Sequence, residues 1–306
     1  MTYRALLVTT PDGRTLEVAT LGDPRGHTVF FHHGTPGSAS LVSYFESAAA
    51  GTDLFVVTTS RPGYSRSTRL AGRRASSVVD DVRCALDALG RGEYVSVGWS
   101  GGGPHALACA ALDAPRCVAA WSLAGVAPGD VDFDWTEGMG PENREEFALA
   151  REGGPRYEAY LAGVAEAMAS ATPDNVVDFF GQLLSDVDRT ALDPMAVREV
   201  FATSCREAAV QGWHGMHDDD VVFQSPWGFD PAEITVPVEV WYGDHDLMVP
   251  ARHGEWLAQR IPSATVVHRP DDGHITLMTQ HMDELAAACR RAFGAGSSGA
   301  AAGRGA

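Results

Sequence analysis

The chain has 306 residues, 45% of them apolar, and a formal net charge of −17. That length and composition suit one large α/β domain with an insertion, or two domains, and exclude a chain disordered by composition. All 23 basic residues are arginine, set against 40 acidic ones; this balance argues against a nucleic-acid partner, and no polybasic run is present to hold an anionic membrane.

The opening segment "MTYRALLVTTPDGRTLEV" lacks the apolar run of a signal peptide, and no later run approaches the ~20 residues of a membrane helix. Cys84, Cys109, Cys117, Cys205 and Cys289 are odd in number and scattered without metal-ligand spacing. They read as reduced structural thiols of a cytoplasmic protein.

In chain order, "RALLVTT" and "TLEVATLG" read as a hairpin turning at Asp12-Gly13. "HTVFFHH" is a continuous apolar run, the pattern of a strand buried on both faces. A helix follows with Ser38 as its N-cap. Then come strand "DLFVVTTS", helix "SSVVDDVRCALDALG", strand "YVSVGW", helix "GPHALACAAL" and strand "CVAAWSLAG". Such alternation predicts a mostly parallel, doubly wound α/β sheet with helices on both faces.

The rhythm breaks near Val126. From 127 to 229 no convincing strand appears, and helical patterns take over. Tyr157, Tyr160, Leu161, Val164 and Met168 fall along one helical stripe, and a later helix opens with Asp193 as cap and Pro194 in its first turn. This insert holds 20 of the 40 acidic residues and 6 of the 23 basic ones. Its charge reads first as a solvated face, and second as a field drawing a cationic substrate. Strand and helix return with "VPVEVWYGD", "PARHGEWLAQRI", "ATVVHRP" and "ITLMTQHMDELAAACRRAF". The expected division is therefore 1–126 as the first part of the core, 127–229 as a helical insertion and 230–293 as the second part. Residues 294–306 read as a flexible low-complexity tail.

Between strand "YVSVGW" and its helix lies Gly98-Trp99-Ser100-Gly101-Gly102. A serine on so sharp a strand-to-helix turn needs small neighbours two residues either side, which explains G-x-S-x-G. The turn lifts Oγ above the sheet edge at a helix N-terminus, and the Gly101 amide points where an oxyanion would form. A hydroxyl alone is a weak nucleophile; it needs a base and a group to orient that base. His274 in "PDDGHITLM" is the candidate base. The orienting acid lies in "WYGDHDLMVP", at Asp244 or Asp246. Both segments follow strand C-terminal ends, where open α/β sheets place their sites.

These motifs together resemble the α/β-hydrolase superfamily, in its lidded serine esterase and lipase-like branch, from about residue 5 to 293. The resemblance implies the α/β-hydrolase fold with a helical lid after the sixth strand. His33-Gly34-Thr35 matches the family's His-Gly-x loop, so Thr35 is implied as the second oxyanion-hole amide. Gly243, Asp246, Val249 and Pro250 match its acid turn, which implies Asp246 over Asp244. "SRPGYSRS" resembles the family's D-R-P-G-Y-G-x-S, with departures at Ser60 and Ser65.

The implied function is hydrolysis of a small to medium carboxylic ester, a small-molecule substrate, through an acyl-serine intermediate and a Ser100, His274, Asp246 triad. This chemistry calls for no cofactor and no metal. Carbon–carbon bond hydrolysis, perhydrolysis and a pathway-specific (thio)esterase share the machinery. "HGTPG" also resembles the "HGGPG" of proline iminopeptidases, although Trp99 precedes Ser100 where those carry Trp after it; acidic lid residues would suit an amine terminus. A ligand receptor retaining the triad is the non-enzyme alternative.

Gly34 and Trp99 are possible pocket residues, Trp99 equally plain packing. Phe179, Phe180, Phe201, Tyr157 and Tyr160 read first as lid core and second as the lid's inner face. His33 is expected to shape the oxyanion loop, His32 to pack at its strand end, and His245 and His253 to lie on the surface. His214, His217 and Asp218 invite a metal reading that no further ligand completes, and Asp219 and Asp220 read as anchors for the next segment. Oligomeric state is left open.

Overall fold

The computed structural model describes residues 3–299. Eight strands, β1 (Arg4–Thr9), β2 (Thr15–Gly22), β3 (His27–His32), β4 (Leu54–Thr59), β5 (Tyr94–Trp99), β6 (Cys117–Leu123), β7 (Val238–Gly243) and β8 (Ala264–Arg269), form one sheet. Their order is β1-β2-β4-β3-β5-β6-β7-β8. The β1–β2 hairpin and the β2–β4 pair are antiparallel, and every pair from β4 to β8 is parallel.

Burial follows the order. Every residue of β4 and β5 is buried, as continuous apolar runs in the centre of a covered sheet should be. The edge strands β1 and β8 are largely exposed or half-buried and read as mixed sequences. Helices Val78–Ala88 and Gly103–Leu112 pack together against the sheet, as do Glu46–Ala49 and Met282–Gly299 elsewhere on it. The strand order reverses beside β3, whose neighbours are β4 and β5. That switch leaves a crevice at the strand C-terminal ends, where the segments after β3 and β5 meet.

Between β6 and β7 the chain is helical, with Pro141–Glu152, Pro155–Ala169, Met195–Ala208 and His214–Gln224 as its longer helices. One helix start differs from the sequence reading. Asp193 does not cap; its amide still donates to Thr190 O in the preceding turn, and extended Pro194 stands at the cap position of Met195–Ala208. The final pattern also splits, into His274–Thr279 and Met282–Gly299. The second helix takes in residues to Gly299 of the segment expected as a tail, and 300–306 lie outside the described residues.

Candidate active site

Ser100 closes β5 with φ +57, in the left-handed region, and opens a 3-10 turn into helix Gly103–Leu112. The glycines around it are there because backbone crowds them. A Cβ on Gly98 would stand 2.2 Å from Gly102 O, and one on Gly102 2.1 Å from His32 O. One on Gly101 would meet Thr35 Oγ1 at 2.4 Å, which places the Ser100 turn directly against the loop after β3.

His274 Nδ1 donates to Asp246 Oδ2 at 2.7 Å, and both residues are buried. Asp246 Oδ1 in turn accepts the amides of Met248 at 2.8 Å and Val249 at 2.7 Å. With Nδ1–H committed, Nε2 is the basic nitrogen of the neutral ring, and His274 lines the same small cleft as Ser100. Asp244, the rival carboxylate, is exposed and pairs with His268 at 2.8 Å. Gly243 lets β7 pass the His274 loop: its Cβ would meet Asp272 O at 2.2 Å. This arrangement offers a hydroxyl on a strained turn, a ring base with a fixed tautomer, and backbone amides at a helix start. Those are the parts needed for nucleophilic attack on a carbonyl.

Residues 27–280 match the sequence profile described as the alpha/beta hydrolase fold. The chain belongs to the alpha/beta hydrolase family. It is an enzyme of that hydrolase class. Among solved structures, it is similar to an esterase from Exiguobacterium antarcticum, with TM-score 0.67 and 15% identity over 94% of this chain and 100% of the other. A thermophilic esterase from Thermogutta terrifontis gives 0.65 and 21% over 94% and 97%. A bromoperoxidase from Bacillus anthracis gives 0.66 and 17% over 94% and 100%. None of the curated proteins compared with the chain matches it in sequence. Among the described residues of this hydrolase, no helix is long and apolar enough to cross a membrane. All five cysteines are free thiols.

Ser100 of the hydrolase stands where two cavities meet. One, of about 510 Å³, is lined by Thr35, Gly101, Phe179, Phe180, Tyr160 and other residues mostly of the insertion. The other, of about 40 Å³, lies between Gly34, Trp99, Phe201 and His274. Phe179, Phe180 and Tyr160 thus face the large cavity, whereas Trp99 and Gly34 line only the small cleft. Trp99 is also a brace: its indole N–H donates to His274 O at 3.1 Å.

Two buried carboxylates of the insertion hold the site from behind, and the sequence reading had missed one entirely. Asp188 accepts the amides of His274 and Ile275, both at 2.8 Å, and of Thr276 at 3.0 Å, so it caps the helix that His274 begins. Gly273 makes room for it, since a Cβ there would lie 2.3 Å from Asp188 Oδ2. Asp219 accepts from Thr35 Oγ1 at 2.6 Å, Tyr64 at 2.9 Å, and Arg61 and Arg73 each at 2.7 Å. Burial pushes its carboxyl up, but the two guanidiniums hold it well below the usual carboxylate range. Arg61 completes the frame by donating to His33 O, to Gly34 O at 2.9 Å and to Thr35 Oγ1 at 2.7 Å.

The histidines divide as follows. His33 Nδ1 donates to Gly34 O at 2.7 Å and its Nε2 accepts the Arg61 amide at 3.1 Å, which fixes the loop after β3 and occupies both ring nitrogens. His32 is packed beside Ser96 at 3.0 Å. His253, expected on the surface, is buried. Its Nδ1 accepts from Ala127 N at 3.0 Å and its Nε2 donates to Trp135 O at 2.9 Å, so it ties helix Ala251–Arg260 to the start of the insertion. His245 is exposed. His214 stacks on Trp213, and Asp218 is taken up by Arg69 at 2.7 and 2.8 Å.

Proposed function

We propose that this hydrolase cleaves a small to medium carboxylic ester through an acyl-serine intermediate. Support comes foremost from the His274–Asp246 contact, made on the cleft that Ser100 also lines. His274 Nε2 takes the Ser100 proton as Oγ attacks the ester carbonyl. The Thr35 and Gly101 amides receive the oxyanion, each such donor contributing on the order of 10²–10³ in rate. Asp246 stabilises the imidazolium. The alkoxide leaves as an alcohol, protonated by His274, and the same ring then deprotonates the water that releases the acid. The insertion acts as the lid, and its apolar and aromatic lining seats the acyl or alcohol chain.

The test is steady-state hydrolysis of p-nitrophenyl esters from acetate to decanoate, with Ser100→Ala as the blank. Continuous turnover with an optimum at one chain length is expected from the wild type. Ser100→Ala should lose roughly 10⁶-fold in kcat while keeping its circular dichroism. A variant that still hydrolyses at the wild-type rate would remove Ser100 from the mechanism.

A further inference from the structure

The large cavity is apolar and aromatic over most of its wall, yet three carboxyl side chains line it: Glu142, Glu146 and Asp220. No arginine or histidine lines it among the described residues. Asp220 is 1% exposed, on helix His214–Gln224, and its carboxyl lies in hydrogen-bonding contact with that of Glu146, from helix Pro141–Glu152. The Tyr157 hydroxyl donates to Asp220 Oδ2. Glu142 Oε1 is occupied by the Gln182 amide at 2.9 Å, but its Oε2 is buried and has no hydrogen-bond partner.

Two carboxyls side by side in a low-dielectric wall cannot both ionise without a positive charge between them. Burial raises the pKa of both, with Glu146 adding to the rise at Asp220, which favours a proton between them. Tyr157, Tyr160 and Asp219 stand around the pair, Asp219 already neutralised by Arg61 and Arg73, and Glu142 and Glu145 also act on Tyr160. A cation seated beside the pair would let both carboxyls ionise. Flanking aromatic rings, Tyr160, Phe147 and Phe223, favour one as well.

We infer that Glu146 and Asp220, with Glu142, form a seat for a protonated amine, so that the substrate is an ester carrying an ammonium or guanidinium group that enters the cavity ahead of Ser100. This rests on the reading of Ser100 as nucleophile only for the word ester; the seat itself is independent of catalysis. Seating the cation ionises the pair and expels its proton to solvent.

The test is therefore a binding measurement on the wild-type protein. Hexylammonium chloride and 1-hexanol, equal in length, are titrated by calorimetry at pH 7 in two buffers of different ionisation enthalpy. Hexylammonium should bind one to one and at least tenfold tighter than hexanol, with release of a fraction of a proton to the buffer. Glu146→Gln and Asp220→Asn should each bring the affinity ratio of the two probes toward unity, a comparison made within one protein. Equal affinity for the two probes, no measurable binding of the cation, or a ratio untouched in both variants would overturn the seat and leave the pair as a clip between two helices. Loss of ester turnover with cation binding intact would instead overturn the ester reading alone.

Discussion

The Thr35 hydroxyl donates a 2.6 Å hydrogen bond to the fully buried carboxylate of Asp219, 184 residues further along the chain. A residue of the insertion therefore sets the side chain whose backbone amide is proposed to bind the oxyanion. Thr35→Val keeps that amide but removes its tether. The expected result is a fall in kcat of about tenfold with KM little changed, less than the loss of an oxyanion donor outright. A change confined to KM would show that the tether shapes binding and not the transition state.

Asp219→Asn should act on stability first. Arg61 and Arg73 are buried around that carboxylate, and removing its charge leaves them without a counter-ion. Breaking a buried pair of this kind costs about 3–5 kcal/mol. The urea midpoint of Asp219→Asn should drop accordingly, and a midpoint equal to wild type would show that the arginines find other partners.

Asp246 and Asp244 separate by a simple pair of variants. Asp246→Asn should lower kcat about 10⁴-fold, because an amide opposite Nδ1 favours the wrong imidazole tautomer. Asp244→Asn should leave turnover near wild type, as its exposed carboxylate pairs with the exposed His268. The reverse pattern in steady-state kinetics would reassign the acid.

Stability should decline as pH falls through the ordinary histidine range. Burial lowers the pKa of His105 and His253 to about 4, and holds His32 and His33 well below the usual histidine range. In the unfolded chain these rings gain protons near about 6.5. Below that pH the unfolded state binds more protons than the native one, so stability present above ~6.5 is lost as pH falls. The slope is up to ~1.4 kcal/mol per pH unit for each ring. Urea midpoints at pH 8, 6 and 5 should descend in that order; a level profile would mean the native rings take up protons as readily as those of the unfolded chain.

Gly98→Ala should fail to fold or lose most of its stability, since the added methyl would stand 2.2 Å from a backbone carbonyl that has no room to move. Soluble yield and thermal midpoint report it. A stable Gly98→Ala would mean that the Ser100 turn relaxes more readily than its packing implies.

What could be read from the sequence was governed by distance along the chain. The Ser100 turn was legible because its cause is local: a left-handed serine hemmed by its own neighbouring backbone. The hidden contacts are those made across long separations. Asp188 meets His274 from 86 residues away and His253 meets Ala127 from 126, and neither residue type nor spacing announces such a partner. The departures in "SRPGYSRS" become clear only in three dimensions. Ser60 donates to Glu17 Oε2 at 2.7 Å, so the carboxylate comes from β2. Ser65 accepts φ +48 where the resemblance places glycine, and Gln211 holds that turn by donating to Ser65 O at 2.9 Å and Ser67 O at 2.7 Å. Whether the aromatic stripe forms lid core or cavity wall stays open in the sequence, because the same stripe suits both and packing alone separates them.

The two carboxylates Asp188 and Asp219 make the insertion something other than a replaceable cassette. Grafting a foreign segment between β6 and β7 would remove the cap under His274 and the counter-ion behind the His33-Gly34-Thr35 loop in a single stroke. Chimeras of this hydrolase should therefore tolerate recombination within Pro141–Ala169 far better than across the segments that carry Asp188 and Asp219. The same constraint ties the evolution of its substrate range to that of its sheet: new specificities can arise by exchange of Pro141–Ala169, but around Asp188 and Asp219 only by point substitution.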